Sequence, residues 1–248
     1  MKLISLNVEE KKHLDKVLPF LEHERADVVC LQEASNDHVL FLQSQGYTVS
    51  FEPRCIKEYQ GVDFIEGILL ASLHPATFQT HFYYRPCTEV ITEAFDSKLD
   101  RNNTLRAIIV GTIIYEGNTY TICSTHFTWS PNGDSACHAQ KGDMEEFLRI
   151  TQTLPPHIMC GDFNIPRHHN SLYQTLISNY TDNIPEHYQT SLDSAFHKLT
   201  DSEEKKHLLE KYMVDYIFSK PPYRIEDVRL QFAISDHAAV IATVLALK

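Results

Sequence analysis

The chain has 248 residues, a hydrophobic share of 43% and a formal charge of −11 from 22 basic and 33 acidic side chains. A chain of this length suits one large domain or two small ones, and a single domain of this size buries roughly 70–75% of its unfolded surface, so no staple is required. The acidic balance excludes a composition-wide basic stripe for tracking phosphates and weighs against bulk duplex binding, although a local basic cleft is compatible with it.

In chain order, Lys2–Val8 reads as a β-branched, apolar strand. Glu9–Arg25 carries Leu14, Val17, Leu18 and Leu21 at helical spacing, with Pro19 expected to kink or restart that helix. Ala26–Glu33, "ADVVCLQE", is a continuous apolar run of the kind buried on both faces. Ser35–Gln45 reads as a helix stopped by Gly46. Strands are expected at Tyr47–Glu52, Gly67–Leu73, Ala76–Tyr84 and Thr88–Phe95, and a hairpin around "EGN" within Thr104–Phe127. Helical spacing returns in Asp134–Leu154, a strand in His157–Asn164 and a short helix in Asn170–Ser178. Tyr180–Lys198 is loop-like, and Asp201–Lys211 reads as a charged helix. "MVDYIFSK", "RIEDVRLQFA" and "AAVIATVLAL" close the chain as three strands. There is no linker-like shift in composition, so residues 1–248 are expected to form one domain.

The six cysteines include no CxxC pair, which disfavours zinc and fits a reducing compartment. Met1 leads directly into a strand without a leader signature, and no run approaches the roughly 20 apolar residues of a membrane span. The expectation is a soluble, cytoplasmic protein.

Polar residues recur at the ends of apolar strands: Asn7 after "LISL", Glu33 after "VVCLQ", His126 after "ICST", Asp162 and Asn164 after "IMCG". Asp215 lies in "MVDYIFS", and Asp236 and His237 in "AISDHAAV". Each alone is accounted for by a cap, a turn or a satisfied buried hydrogen bond. Together they mark strand tips, where α/β folds support sites rigidly. The residue types are also chemically consistent. Glu33, Asp236 and Asn7 offer hard oxygen ligands for Mg²⁺ or Mn²⁺. His126 and His237 can donate to phosphate oxygens, Asp162 and Asn164 can orient or deprotonate a water, and Asp215 can fix the tautomer of His237.

The ordered set "LNV", "LQE", "STH", "GDFN", "DYIFS" and "SDH" resembles the motif series of the endonuclease/exonuclease/phosphatase superfamily, the DNase I-like fold. The resemblance implies a four-layer α/β sandwich of two mixed β-sheets with helices outside. It also implies a divalent-metal phosphoesterase. Glu33 would be the main metal ligand, assisted by Asn7 and Asp236. Asp162 and Asn164 would position the water and the phosphate, His126 and His237 would contact the scissile phosphate, and Asp215 would pair with His237.

The chain departs from the family pattern after Asn7, where "NVEE" leaves Glu9 either to assist the metal or to begin the helix. Glu66 is either a matching acidic position or a solvated loop acid. Trp129, the only tryptophan, lies in the loop His126–His138 and is a candidate for shaping a substrate pocket. Arg101, Arg106 and Arg167 are candidates for further phosphate contacts, each against the alternative of an ordinary ion pair. The expected partner is a phosphoester, small or lipid-like. A DNA or RNA nuclease is the alternative, less favoured because no lysine- or arginine-dense loop flanks the motifs. A catalytically silent scaffold comes third.

Overall fold

The first strand, β1 (Lys2–Asn7), shows how the sequence builds the fold. Leu3 joins one apolar cluster while Ile4 and Leu6 join another, so the strand is buried on both faces. A continuous apolar run is what such a strand needs.

The computed structural model describes residues 1–131, 133–198 and 209–246. After β1 come α1 (Leu14–Glu24), β2 (Val28–Ser35), α2 (Asn36–Ser44), β3 (Thr48–Tyr59), β4 (Val62–Ser72) and β5 (Ala76–Tyr84). A short ribbon, β6 (Phe95–Asp96) and β7 (Arg101–Asn102), precedes the hairpin β8 (Arg106–Tyr115) and β9 (Asn118–His126). Then follow α3 (His138–Thr151), β10 (Ile158–Asp162), α4 (Leu172–Ile177), β11 (Thr181–Asp182), β12 (Asp215–Ser219), β13 (Tyr223–Gln231) and β14 (Ala239–Ala246).

Two six-stranded sheets result, in the orders β13-β14-β1-β2-β4-β3 and β11-β12-β10-β9-β8-β5. Each is mixed, with one central parallel pair, β1–β2 or β9–β10, flanked by antiparallel neighbours. Each parallel pair is joined by a helical crossover, α1 or α3, because parallel strands cannot be joined by a tight turn. Leu3, Val28, Cys30 and Leu70 of the first sheet share a core with Ile108, Ile122 and Cys160 of the second. On its other face the first sheet presents Ile4, Val29, Leu31 and Leu69 to Val17 and Leu21 of α1 and Leu42 of α2. Met144 and Phe147 of α3 and Leu172 and Leu176 of α4 pack with the second sheet. The expected four-layer sandwich is therefore present.

Several elements differ from expectation. α1 begins at Leu14, because Glu9 and Glu10 hold positive φ of 47° and 64° in the turn after β1. The helix runs through Pro19 unbroken. β3 and β4 extend to a two-residue turn, Gln60–Gly61, with both φ positive as a type I′ hairpin requires. Of Thr88–Phe95, only Phe95 enters a strand, with Thr92 forming an isolated bridge to Ile56. The loop-like 180–198 stretch contains β11. Most of the expected charged helix, residues 201–208, lies outside the described residues. Among the described residues no helix is long and apolar enough to cross a membrane.

Candidate active site

The carboxyl ends of both parallel pairs point to one place. Asn7 shares the inward face of β1 with Leu3, and its Nδ2 donates to Asp162 Oδ2 across the sheets at 3.1 Å. The same Nδ2 lies 3.5 Å from Glu33 Oε1. Regular pleating does not aim Glu33. A bulge inserts one extra residue in β2 between Leu31 and Ala34, and Glu33 sits in it at φ 54°. Bulges re-aim side chains in this way beside functional sites.

Gly161 brings β9 and β10 together. At φ 145° it lies where a Cβ would come within 1.9 Å of the Thr125 carbonyl oxygen. The next residue, Asp162, is then the register partner of His126, with His126 Nε2 3.5 Å from Asp162 Oδ2. Asn164, at φ 52°, donates its backbone N–H to Asp162 Oδ1 at 2.8 Å and its Nδ2 to the Phe127 carbonyl at 3.1 Å. Asp215 opens β12 opposite Asp162. Its Oδ2 lies 2.7 Å from His237 Nδ1 and accepts a hydrogen bond from Ser191 Oγ at 2.6 Å.

Burial, then the charge of Asp215, pushes Asp162 up to about 7. Burial pushes Asp236 up to about 7 as well, with Glu9 and Glu33 adding to it. The two histidines diverge. Burial opposes charge on His237, but Asp215 and Asp236 outweigh it and hold the imidazolium well above the ordinary histidine range. Burial, then Arg54 and Arg106, drives His126 well below that range, so it is neutral. Opposed pKa shifts in neighbouring groups are a mark of acid–base machinery.

These groups line a cavity of about 290 Å³ that includes Asn7, Glu33, His126, Asp162, Asn164, Asp236 and His237. Trp129 and Arg106 line it too, and Asp215 stands directly behind His237. Arg167 lies elsewhere: its Nη2 donates to Asp182 Oδ2 at 2.8 Å and to the Ile184 carbonyl at 2.9 Å, which corrects the expected phosphate contact to a buried ion pair. Arg101 is likewise paired, with both oxygens of Asp143 at 2.9 and 2.7 Å. Glu66 is fully buried against Arg54 and does not line the cavity. Glu9 does line it, and its side chain takes an ion pair from Lys12 and a contact from His13. Sequence reasoning missed Arg54, Lys57, Glu93, Asn102, Lys198 and Tyr212 in the cavity wall. None of them sits in a motif or at the end of an apolar run.

The donor set fits a divalent cation. Among the described residues Asp236 lies within 4.8 Å of His197, and Asp162 within 4.8 Å of Asp215, ligand atom to ligand atom, on either side of His237, whose positive charge removes it as a ligand; Glu33 and Asn7 line the same cavity. Carboxylates raised by burial and mutual repulsion are relieved by a cation, and an oxygen-rich set suits Mg²⁺ or Mn²⁺.

The model of the endonuclease/exonuclease/phosphatase family matches residues 4–237. The chain belongs to this family. Its members are hydrolases of phosphoesters and generally use divalent metals. The chain is 27% identical over 169 residues to Protein angel homolog 2 of Danio rerio, covering 62% of this chain and 27% of that protein. It thus spans about a quarter of that relative's length. A family protein from Leptotrichia buccalis is 19% identical with a TM-score of 0.71, covering 99% of both chains. The human Nocturnin catalytic domain with bound sulfate is 18% identical with a TM-score of 0.66, covering 100% of this chain and 94% of that one. At these identities the structural likenesses establish the endonuclease/exonuclease/phosphatase fold.

Proposed function

We propose that the protein is a metal-dependent phosphoesterase that hydrolyses a small or lipid-like phosphodiester or phosphomonoester by in-line attack of water. The observation that carries this reading is the convergence of Glu33, Asp162 and Asp236 on one cavity that His237, backed by Asp215, also lines. Glu33, Asn7 and Asp236 would hold Mg²⁺ or Mn²⁺, which when bound polarises the phosphate and offsets its charge. Asp162, fixed by Asn7 and the Asn164 backbone, orients or deprotonates the attacking water. His237, kept cationic by Asp215, and neutral His126 donate to phosphate oxygens as charge develops there. Arg106 adds a buried cation, still charged at neutral pH although burial and Arg54 pull it down to about 10.

Charge in the cavity wall favours a small substrate over a duplex. Arg54 is paired with Glu66, Lys57 with Glu93 and Glu10, and Lys198 with Glu9. Among the described residues of this wall Arg106 is the one arginine or lysine that donates to backbone carbonyls and not to a carboxylate, and a wall with three of four such cations locally neutralised offers little to a polyanion. The test is hydrolysis of bis-p-nitrophenyl phosphate and of plasmid DNA, side by side, with Mg²⁺, Mn²⁺ or EDTA. EDTA-sensitive cleavage of the small diester with intact plasmid supports the reading. Rapid plasmid nicking replaces it with the nuclease reading, and silence on both alongside bound metal leaves a narrow substrate specificity or the scaffold role.

A further inference from the structure

The phosphate chemistry leaves one part of the cavity unused. Trp129, the only tryptophan, lines it yet is 44% exposed, whereas the phenylalanine and tyrosine rings, Phe95 apart, are buried or half-buried. The ring is on a loop, but the loop is braced. Thr128 donates to Asp143, which is held by Arg101, and Gln140 Nε2 donates to the Thr128 carbonyl at 2.7 Å. Thr128 and Ser130 on either side are 1% exposed, and Phe95 meets the indole edge-on at 6.5 Å. These struts fix the backbone that carries the indole, so little loop ordering remains to be lost when a flat partner meets the ring face-on. Tyr212, Leu192 and Val214 give the same cavity a second apolar wall.

We propose that Trp129 is a stacking platform for a nucleobase and that the substrate is a small nucleotide, its phosphate at the carboxylate–histidine cluster and its base on the indole. This deepens the phosphoesterase reading and rests on it. The alternatives within that reading are a sugar phosphate, which brings C–H groups and no flat π-face to the indole, and a lipid phosphate, whose acyl chains bring no ring. The cavity volume, about 290 Å³, sits at the lower end of ligand pockets and suits one nucleoside phosphate better than a long chain.

Because Trp129 is the only tryptophan, its emission reports the site directly. The test titrates AMP, ribose 5-phosphate, glucose 6-phosphate and a short-chain phosphatidic acid into the Asp162→Asn variant with Mg²⁺, where bound ligand is not turned over. Base stacking predicts that AMP quenches the emission and binds at least about fivefold tighter than ribose 5-phosphate. In Trp129→Ala, measured by competition against hydrolysis, that preference should fall to within about twofold, while Trp129→Phe should keep most of it. Equal affinity for AMP and ribose 5-phosphate, or a preference that survives Trp129→Ala, overturns the proposal. So does tighter binding of the lipid or hexose phosphate. Each of those results leaves EDTA-sensitive phosphoester hydrolysis standing. Loss of that hydrolysis in the unchanged protein would instead remove the reading on which the proposal rests.

Discussion

Replacing Gly161 with alanine should damage both the fold and the site. The new methyl would lie 1.9 Å from the Thr125 carbonyl oxygen, a backbone atom of the paired strand that cannot swing aside. A non-glycine residue at φ 145° carries about 1–3 kcal/mol of backbone strain on its own. Relieving the clash separates β9 from β10 near Thr125, with ladder hydrogen bonds each worth about 1 kcal/mol. The expected cost is at least about 3 kcal/mol, or roughly 6–12 °C in Tm for a domain of this size. Gly142 is the internal control. It lies inside α3 with no heavy atom within 4 Å of an added Cβ, so Gly142→Ala should stabilise by about 0.5–1 kcal/mol. Urea unfolding of the three proteins, with turnover measured in parallel, reads both effects. A Gly161→Ala protein within about 1 kcal/mol of the parent would refute the close-approach account of the "GDFN" strand.

Three further outcomes follow from the same geometry. His237→Ala should lower kcat by about two to three orders of magnitude while the protein stays folded, and an unchanged kcat would remove His237 from the site. Glu66→Gln should destabilise by about 3–5 kcal/mol, because it leaves Arg54 buried without its carboxylate; a neutral result in thermal unfolding would refute that assignment. Burial lowers His157 to about 4, with its ring between the Pro155 carbonyl and the Tyr180 hydroxyl. Its folded value lies below its unfolded one, so its contribution is present above about pH 6.5 and is lost as pH falls toward 4. Asp162 and Asp236, raised to about 7, act in the opposite sense, so the informative quantity is the difference from a His157→Gln variant. Between pH 7.5 and 5 that variant should lose about 2 kcal/mol less than the parent in urea unfolding, and equal losses would contradict the burial argument.

The strand tips were legible because each ends an apolar run with a residue that core packing would reject. Asn7, His126 and Asp162 stand out on that rule, His237 stands just before the apolar run of β14, and the structure places all four on one cavity. The aim of Glu33 was not legible, since it depends on a one-residue bulge that leaves no mark in a run of apolar residues. Arg167 misled because it lies three residues past Asn164, whereas its partner Asp182 arrives from β11, a strand too short to show in sequence. Arg54 and Lys57 were hidden in the polar outer half of β3, where alternation is weak. The platform role of Trp129 depends on Asp143 and Gln140, both contributed by a helix that sequence alone does not dock against that loop.

The most direct test strips the protein with EDTA and measures bis-p-nitrophenyl phosphate turnover as Mg²⁺ is added back, for the unchanged chain and for Glu33→Ala. Saturable recovery in the unchanged chain, with a folded Glu33→Ala protein at least about a hundredfold slower, is the predicted result. Turnover that survives EDTA, or a Glu33→Ala protein that recovers fully, would contradict a metal-dependent site at these strand ends.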